Sequence, residues 1–207
     1  MLIKICGLKY ADNISELGTY PIDMMGFVFY PKSPRFVDGE LKTSTVKNIP
    51  ENIKKVGVFV NQSMKEILCK QRLFQLDFIQ LHGDENEQFC KRIKDLNIGV
   101  IKAFHIDGHF DFSILKKFQE QCDYFLFDTK TTGYGGSGKA FDWYILNRYT
   151  LNTRFLLSGG IGLENIDDAI AFYHPQLVGV DINSKIELTP GLKSIKMAKN
   201  ITRIINK

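Results

Sequence analysis

Two polar side chains stand where apolar, strand-like runs pass into loops, and their types are suited to moving protons. Cys6 ends the run 2–6 and precedes Gly7, whose missing side chain lets backbone or a ligand come close. A thiol there needs only modest stabilisation to act as a base near neutral pH, and we expect its pKa to lie below the ordinary value. Asp128 follows the run 124–127, where desolvation would raise the pKa of its carboxyl group and keep it protonated as a general acid.

Both residue types also have structural interpretations. A free cysteine is usually a small buried apolar side chain, and that interpretation suits Cys69, Cys90 and Cys122. Asp128 could instead cap the backbone of the loop that follows it. Arg35 lies in a Ser-Pro-Arg loop that proline stiffens, so its guanidinium could bind a carboxylate or simply lie at the surface.

Eight short apolar runs predict the strands that would position these residues. Most are continuous rather than alternating, as is typical of parallel strands covered on both faces. The runs are residues 2–6, 24–29, 55–60, 78–81, 100–104, 124–127, 155–157 and 178–181. Helix-type segments between them complete eight strand–helix units, which predicts an α/β fold, a parallel eight-stranded (β/α)8 TIM barrel, with residues 1–207 as a single domain.

Helix signals fill most of the intervals between these runs. A Ser-x-x-Glu capping box begins a helix at Ser63, and Asp142 can cap another that runs through Trp143. Further helices are predicted over residues 10–20, 38–49, 84–93, 111–120, 163–172 and 192–205.

Composition indicates neither a nucleic-acid nor a membrane partner. The 207 residues are 44% hydrophobic and 24% charged, with a net charge of +4 and scattered lysines. No apolar stretch is long enough to span a bilayer, and the first residues lack the pattern of a signal peptide. The four cysteines form no C-x-x-C pair or zinc-type cluster, which favours a reducing cytoplasm and no bound metal.

Loops after the seventh and eighth strands are candidates for phosphate binding. Barrels commonly hold phosphate there, on backbone N–H groups and a nearby helix N-terminus. The sequence places Gly159 and Gly160 in the first loop, and Asn183 and Ser184 in the second. We therefore predict that these four residues bind a phosphate group, which implies a small phosphorylated substrate.

The segment 133–139 matches G-x-G-x-x-G and most of a Walker A motif, but both matches are weak. Ala140 replaces the Walker hydroxyl residue, and residues 128–132 separate the segment from its strand. The dinucleotide motif also belongs to the first strand–helix turn. We predict a mobile loop over the active site with glycine hinges, or a plain flexible loop.

Seven motifs occur in the order found in one known family. They are Lys4-Ile5-Cys6-Gly7, Gly26-Phe27-Val28-Phe29-Tyr30 with Lys32-Ser33-Pro34-Arg35, Val56-Gly57-Val58-Phe59-Val60-Asn61, Gln80-Leu81-His82-Gly83, Phe127-Asp128-Thr129-Lys130, Gly135-Gly136-Ser137-Gly138-Lys139 and Leu157-Ser158-Gly159-Gly160. Over nearly the whole chain the sequence thus resembles phosphoribosylanthranilate isomerase of tryptophan biosynthesis.

The resemblance implies the Amadori rearrangement of N-(5-phosphoribosyl)anthranilate to 1-(2-carboxyphenylamino)-1-deoxyribulose 5-phosphate, without a metal or organic cofactor. By resemblance, Cys6 matches the general base, Asp128 the general acid and Arg35 the residue that holds the anthranilate carboxylate. His82 and Lys4, which lie in matching motifs, are further candidates to contact the substrate. The enzyme would be a monomer or a homodimer.

One position departs from the family pattern. Lys185 stands where the family usually has a glycine whose N–H faces the phosphate, so it could add positive charge there.

Two other functions remain open at this point. The related isomerase of histidine biosynthesis uses paired aspartates, and the cysteine that ends the first strand argues against it. A non-enzymatic barrel that binds a phosphate ligand would not need both an acid and a base.

Overall fold

The computed structural model describes residues 1–37, 39–129 and 142–206, so the predicted loop 133–139 lies outside the described residues. Eight parallel strands close a barrel in sequence order, with β8 hydrogen-bonded to β1. They are β1 (Leu2–Ile5), β2 (Met24–Val28), β3 (Lys54–Phe59), β4 (Phe78–Leu81), β5 (Gly99–Ile106), β6 (Tyr124–Thr129), β7 (Phe155–Leu157) and β8 (Leu177–Ile182). The predicted TIM barrel is confirmed, and all eight strands lie where the apolar runs predict them.

Side chains on the barrel strands separate into layers because successive residues point to opposite faces. A small cluster that includes Met24, Val56, Ile101, Leu126 and Leu156 comes from alternating positions and fills the barrel interior. A much larger apolar cluster packs between the strands and the surrounding helices. Both faces of most strands are therefore dry, which explains why their sequences read as continuous apolar runs.

Helices lie between the strands, and several of them begin after a capping side chain. They are α1 (Ala11–Leu17), α2 (Thr43–Lys47), α3 (Met64–Phe74), α4 (Glu87–Lys94), α5 (Ile166–Ala171) and α6 (Ile195–Ile205), with 3-10 helices at Phe112–Phe118, Trp143–Arg148 and Ser184–Ile186. Ser63 forms the predicted capping box with Glu66, and Asp142 accepts a hydrogen bond from the N–H of Tyr144. No helix in the described part of the chain is long and apolar enough to cross a membrane.

Several helices differ from the prediction in their boundaries or in their type. The helix predicted from residue 84 begins after Asn86, whose side chain accepts from the N–H of Phe89. The segment 111–120 holds a 3-10 helix capped by Asp111. The helix predicted over 38–49 is confined to α2.

An antiparallel hairpin connects the last barrel strand to α6. Its strands are β9 (Glu187–Thr189) and β10 (Leu192–Lys193), and Lys193 pairs with Glu187. The prediction of a helix from residue 192 is therefore wrong at its start, since α6 begins only after the cap Ser194. The buried amide of Asn13 in α1 bonds both the N–H and the carbonyl of Lys193, at 2.9 Å each, and so fixes the hairpin against the barrel.

Candidate active site

A cavity opens at the carboxyl ends of the barrel strands. Nearly all of the residues predicted to touch a substrate line it: Cys6, Arg35, His82, Asp128, Gly159, Gly160, Asn183 and Ser184. Lys4 is the exception, because it is fully buried and lies outside the cavity lining. The fold thus gathers side chains from distant parts of the sequence into one site.

Cys6 directly follows β1 and is almost completely buried. Its side chain packs with Val28 and Val58, and a Cβ atom at Gly26 would lie 2.7 Å from its Sγ, so glycine leaves the room that the thiol occupies. Burial raises the pKa of the Cys6 thiol above its ordinary value, although the nearby charge of Lys4 opposes that shift. The predicted lowering of this pKa is therefore wrong, because the strand pattern does not reveal how deeply the thiol is buried.

Lys4 lies two residues before Cys6, in a buried ion pair. Its Nζ donates a hydrogen bond to Oδ1 of Asp181 at 2.7 Å, and both side chains are almost fully buried. Burial favours loss of the lysine proton, but the charges of Asp181 and Cys6 outweigh it and raise the pKa of Lys4. Lys4 therefore stays positively charged and acts on Cys6 electrostatically.

Asp128 lies in β6 and is 6% exposed. Its Oδ1 accepts a hydrogen bond from the N–H of Thr129 at 2.8 Å, and its Oδ2 lies 3.4 Å from Nε2 of His82. Nε2 of Gln80 lies 2.9 Å from Nδ1 of His82, and when this amide donates, the hydrogen of the imidazole is on Nε2 and faces Asp128.

The ionisation of Asp128 differs from the sequence-based expectation. Burial raises the pKa of its carboxyl group, but the hydrogen bond from His82 and the charges of His82 and His105 outweigh burial, so the pKa lies below the ordinary value. The prediction of a protonated carboxyl is therefore wrong. The imidazoles that cause the difference come from β5 and from the end of β4, and the run 124–127 gives no sign of them.

His82, His105 and Asp128 are the residues that could hold a metal ion, among those the structure describes. Their ligand atoms all lie within 4.8 Å of one another. Two imidazoles and one carboxylate would suit zinc or iron. The interaction between His82 and Asp128 accounts for their proximity without an ion.

Arg35 is fixed by a carboxylate that sequence reasoning missed. Its Nε and Nη2 donate to Oε1 and Oε2 of Glu187 at 2.8 and 2.5 Å, and Nζ of Lys193 donates to the same Oε1 at 2.8 Å. Burial raises the pKa of the Glu187 carboxyl, but Arg35 and Lys193 outweigh it and lower the pKa to about 2. The turn signal Pro190-Gly191 could have revealed the hairpin that carries both missed residues.

The predicted phosphate loops meet at one side of the cavity. Gly159 and Gly160 adopt left-handed φ values of 91° and 70°, a region that favours glycine. The side chain of Asn165 accepts from the N–H of Gly162 at 2.9 Å and donates to the carbonyl of Gly160 at 3.1 Å, which fixes the first loop. Within the described residues, no hydrogen bond uses the N–H groups of Gly159, Gly160 or Ser184, so these donors can serve an anion.

Lys185, the departure from the family pattern, also lines the cavity. Its Nζ lies 2.5 Å from Oε1 of Glu164, and both side chains are partly exposed. The positive charge expected beside the phosphate is thus paired with a carboxylate.

Comparisons with known proteins identify the family. The family model described as N-(5'phosphoribosyl)anthranilate (PRA) isomerase matches residues 3–203. The N-(5'-phosphoribosyl)anthranilate isomerase of Parabacteroides distasonis is 43% identical over 99% of this chain and 93% of its own. The enzyme of the same name from Thermotoga maritima is 39% identical over 94% of this chain and 95% of its own.

Solved structures agree with this result. Phosphoribosyl anthranilate isomerase of Thermotoga maritima has a TM-score of 0.87 and 34% identity, and covers 100% of this chain and 99% of its own. Another phosphoribosyl anthranilate isomerase, solved with reduced 1-(o-carboxyphenylamino)-1-deoxyribulose 5-phosphate, has a TM-score of 0.84 and 30% identity, and covers 100% and 98%. These matches favour neither the isomerase of histidine biosynthesis nor a non-enzymatic binding protein. The chain belongs to the N-(5'-phosphoribosyl)anthranilate isomerase family, the isomerases that convert this substrate in tryptophan biosynthesis.

Proposed function

We propose that residues 1–207 form a single catalytic domain that performs this isomerisation by general acid–base catalysis, with Asp128 as the acid and Cys6 as the base. The observation that carries the proposal is their shared cavity: both side chains line it, from β6 and from the end of β1. Two strands separate β6 from β1 on one side of the closed barrel and four on the other. An acid and a base so arranged can act on different atoms of one substrate.

The first step opens the ribose ring. Asp128 donates a proton to the ring oxygen, the bond between that oxygen and C1 breaks, and the nitrogen lone pair forms an iminium group with C1. The low pKa of Asp128 means that the proton has to reach it from elsewhere. His82 can supply it in the imidazolium form, in which Nδ1 donates to the amide oxygen of Gln80 and the transferable proton lies on Nε2, 3.4 Å from Oδ2 of Asp128.

The second step forms the ketone. The iminium group acidifies the proton on C2, and the Cys6 thiolate removes it, so that an enolamine with a C1–C2 double bond results. The C2 hydroxyl then loses its proton and C1 gains one, which gives the aminoketone without any net oxidation. The charge of Lys4 supports the thiolate, and neither step requires a cofactor.

The remaining predicted residues hold the two ends of the substrate. Arg35 binds the anthranilate carboxylate, and the N–H groups around Gly159, Gly160 and Ser184 bind the phosphate together with Asn183. Support comes from the position of all five residues in the cavity lining and from the donors that these loops leave available. One solved relative binds reduced 1-(o-carboxyphenylamino)-1-deoxyribulose 5-phosphate, a compound that carries both a carboxyl and a phosphate group.

The cellular setting is also part of the proposal. We place the enzyme in the cytoplasm, as a monomer or a homodimer, with neither nucleic acid nor membrane as a partner. The free thiols of all four cysteines agree with a reducing compartment. A solved relative from Thermotoga maritima is named as dimeric.

Turnover of N-(5'-phosphoribosyl)anthranilate by the purified protein tests the proposal. Cys6→Ala should lower kcat by about 10²–10⁴-fold, since a placed proton-transfer group typically contributes that much. Cys69→Ala is the matched control because Cys69 is exposed, and it should retain full activity. Unchanged turnover in Cys6→Ala would contradict the assignment of the base.

A further inference from the structure

We propose that Glu187 and Lys193 are positioning residues that determine which edge of the Arg35 guanidinium receives the substrate carboxylate. The inference rests on the proposed role of Arg35 and concerns how that role is achieved. Neither residue lines the cavity, so both would act through Arg35 rather than on the substrate itself.

The geometry of Arg35 leaves one edge available. A guanidinium has a side edge, Nε with Nη2, and an end edge, Nη1 with Nη2, and either one fits a carboxylate. Glu187 occupies the side edge through two parallel hydrogen bonds of 2.8 and 2.5 Å. The end edge is therefore the one with which Arg35, which lines the cavity, can grip a second carboxylate.

Glu187 is itself held on several sides. Its Oε1 accepts from Nζ of Lys193 at 2.8 Å and from the N–H of Gly191 at 2.9 Å, in addition to the bond from Arg35. Its side chain is only 6% exposed. Such a carboxylate has few rotamers to choose from, so the direction of the guanidinium is fixed before any ligand binds.

Lys193 keeps the charge of the site suitable for an anion. A lone Glu187 would neutralise Arg35, whereas two cations and one carboxylate leave one net positive charge for the incoming carboxylate. Lys193 is buried, and its Nζ also donates to the carbonyl and Oδ1 of Asn183 at 3.2 and 2.7 Å. Through Asn183 the same lysine connects the carboxylate grip to the phosphate loop.

Binding of two probes tests the inference. One is reduced 1-(o-carboxyphenylamino)-1-deoxyribulose 5-phosphate, and the other is the same compound without its carboxyl group. The wild-type protein should bind the first probe more tightly than the second. Glu187→Gln should weaken binding of the first probe by roughly ten- to hundredfold, because a misaligned contact costs about that much. Binding of the second probe should change little in this variant. In turnover of the substrate, the change in KM should be far larger than the change in kcat.

Two further variants keep the test decisive. Lys193→Gln removes the charge but retains a hydrogen-bonding group, and it should lower the same preference. Glu164→Gln is the matched control, because it breaks an ion pair with the cavity residue Lys185 that involves neither Arg35 nor Glu187. The control should leave the preference for the carboxylated probe unchanged. If thermal unfolding shows that one of these two variants fails to fold, the probe binding of the other variant decides whether the positioning role holds.

The outcomes separate this inference from the proposed function. If Arg35→Lys abolishes the preference for the carboxylated probe but Glu187→Gln and Lys193→Gln preserve it, the positioning role is wrong and the role of Arg35 stands. If Arg35→Lys also preserves the preference, the carboxylate site itself is wrong. An equal loss for both probes in Glu187→Gln would indicate a general structural role and overturn the inference.

Discussion

The two functional regions of the cavity differ in how firmly their charged groups are held. In the anchoring network, which consists of Arg35, Glu187 and Lys193, the Glu187 carboxylate accepts three hydrogen bonds from Arg35 and Lys193 and a fourth from the N–H of Gly191, all of 2.5–2.9 Å. The proton-transfer pair, Cys6 and Asp128, is held more loosely. Oδ2 of Asp128 lies 3.4 Å from Nε2 of His82, and the Cys6 thiol packs mainly against apolar side chains.

This difference follows from what each group has to do. A carboxylate that must stay ionised is stabilised by many donors, and the pKa of Glu187 is accordingly lowered to about 2 although burial opposes the shift. A group that exchanges protons must be able to change its state during each turnover. Fewer and longer contacts at Asp128 permit such a change, whereas those at Glu187 prevent it.

The strongest test of the comparison removes the acid. Asp128→Asn keeps the shape of the side chain but cannot supply a proton, so kcat should fall by about 10²–10⁴-fold with little change in KM. Steady-state kinetics on the purified variant measure both constants. Asp95→Asn, at an exposed ion pair with Lys91, is the control. A rise in KM with unchanged kcat would instead make Asp128 a binding residue.

A disturbance of the anchoring network should affect binding instead. Gly7 has a φ of 75°, and a Cβ atom there would lie 2.6 Å from both Cδ of Arg35 and Oδ1 of Asn183. Gly7→Ala should therefore raise KM by roughly ten- to hundredfold, since both ends of the substrate lose their aligned partners. Gly39→Ala is a matched control, because Gly39 has a φ of 84° but nothing within 4 Å of its Cβ position. Equal KM values for the two variants would contradict the prediction.

The pH dependence should report the proton-transfer pair. Because the pKa of Cys6 is raised, the thiolate is the minor form near neutral pH, and its fraction grows as pH increases. We expect the thiolate fraction to rise with pH by up to about tenfold per unit below that pKa, whereas kcat/KM should rise far less, because the protonated fraction of Asp128 falls over the same range. The charged groups around the thiol are Lys4, Asp181, Lys193 and Arg35.

One of these neighbours limits the rise. Burial lowers the pKa of Lys193 to about 8, so its charge is lost above that pH and the thiolate loses support. The rise of the thiolate fraction with pH should therefore flatten above about pH 8. Ultraviolet absorbance of the thiolate, with Cys6→Ala as the blank, gives the ionisation directly, and a pKa below the ordinary cysteine value would contradict this prediction.

The smallest expected effect comes from metal removal. His82, His105 and Asp128 could hold an ion, yet acid–base catalysis by the proton-transfer pair does not require one. Dialysis against a chelator should leave kcat and KM unchanged. Activity that is lost on dialysis and regained with zinc would assign His82 and Asp128 to a metal centre instead of a proton relay.

The sequence predicts the barrel well because each strand leaves a local signature. An apolar run such as 155–157 is buried on both faces, and this burial is already visible in residue types. Boundaries that depend on side-chain caps are less visible, since either Asp84 or Asn86 could begin α4. The hairpin after β8 is missed because Leu192 continues the apolar periodicity of α6, although it pairs with β9.

Site residues could be located from the sequence, but their ionisation could not. Cys6 and Asp128 line the cavity as the strand-end rule predicts. The pKa of each, however, depends on the folded surroundings: burial raises that of Cys6, and His82 helps to lower that of Asp128. Glu187 escapes prediction for the same reason, because only the folded chain brings it to Arg35.

The pairing of β1 with β8, which closes the barrel, also has a consequence for the order of folding. Lys4 and Asp181 are 177 residues apart, and Asn13 and Lys193 are 180 apart, so these contacts form only when the first and last barrel strands meet. Before that moment Cys6 lacks the charges of Asp181 and Lys193, and Arg35 lacks its carboxylate partner. The onset of turnover during refolding would therefore mark the closing of the ring, later than the formation of the individual strand–helix units.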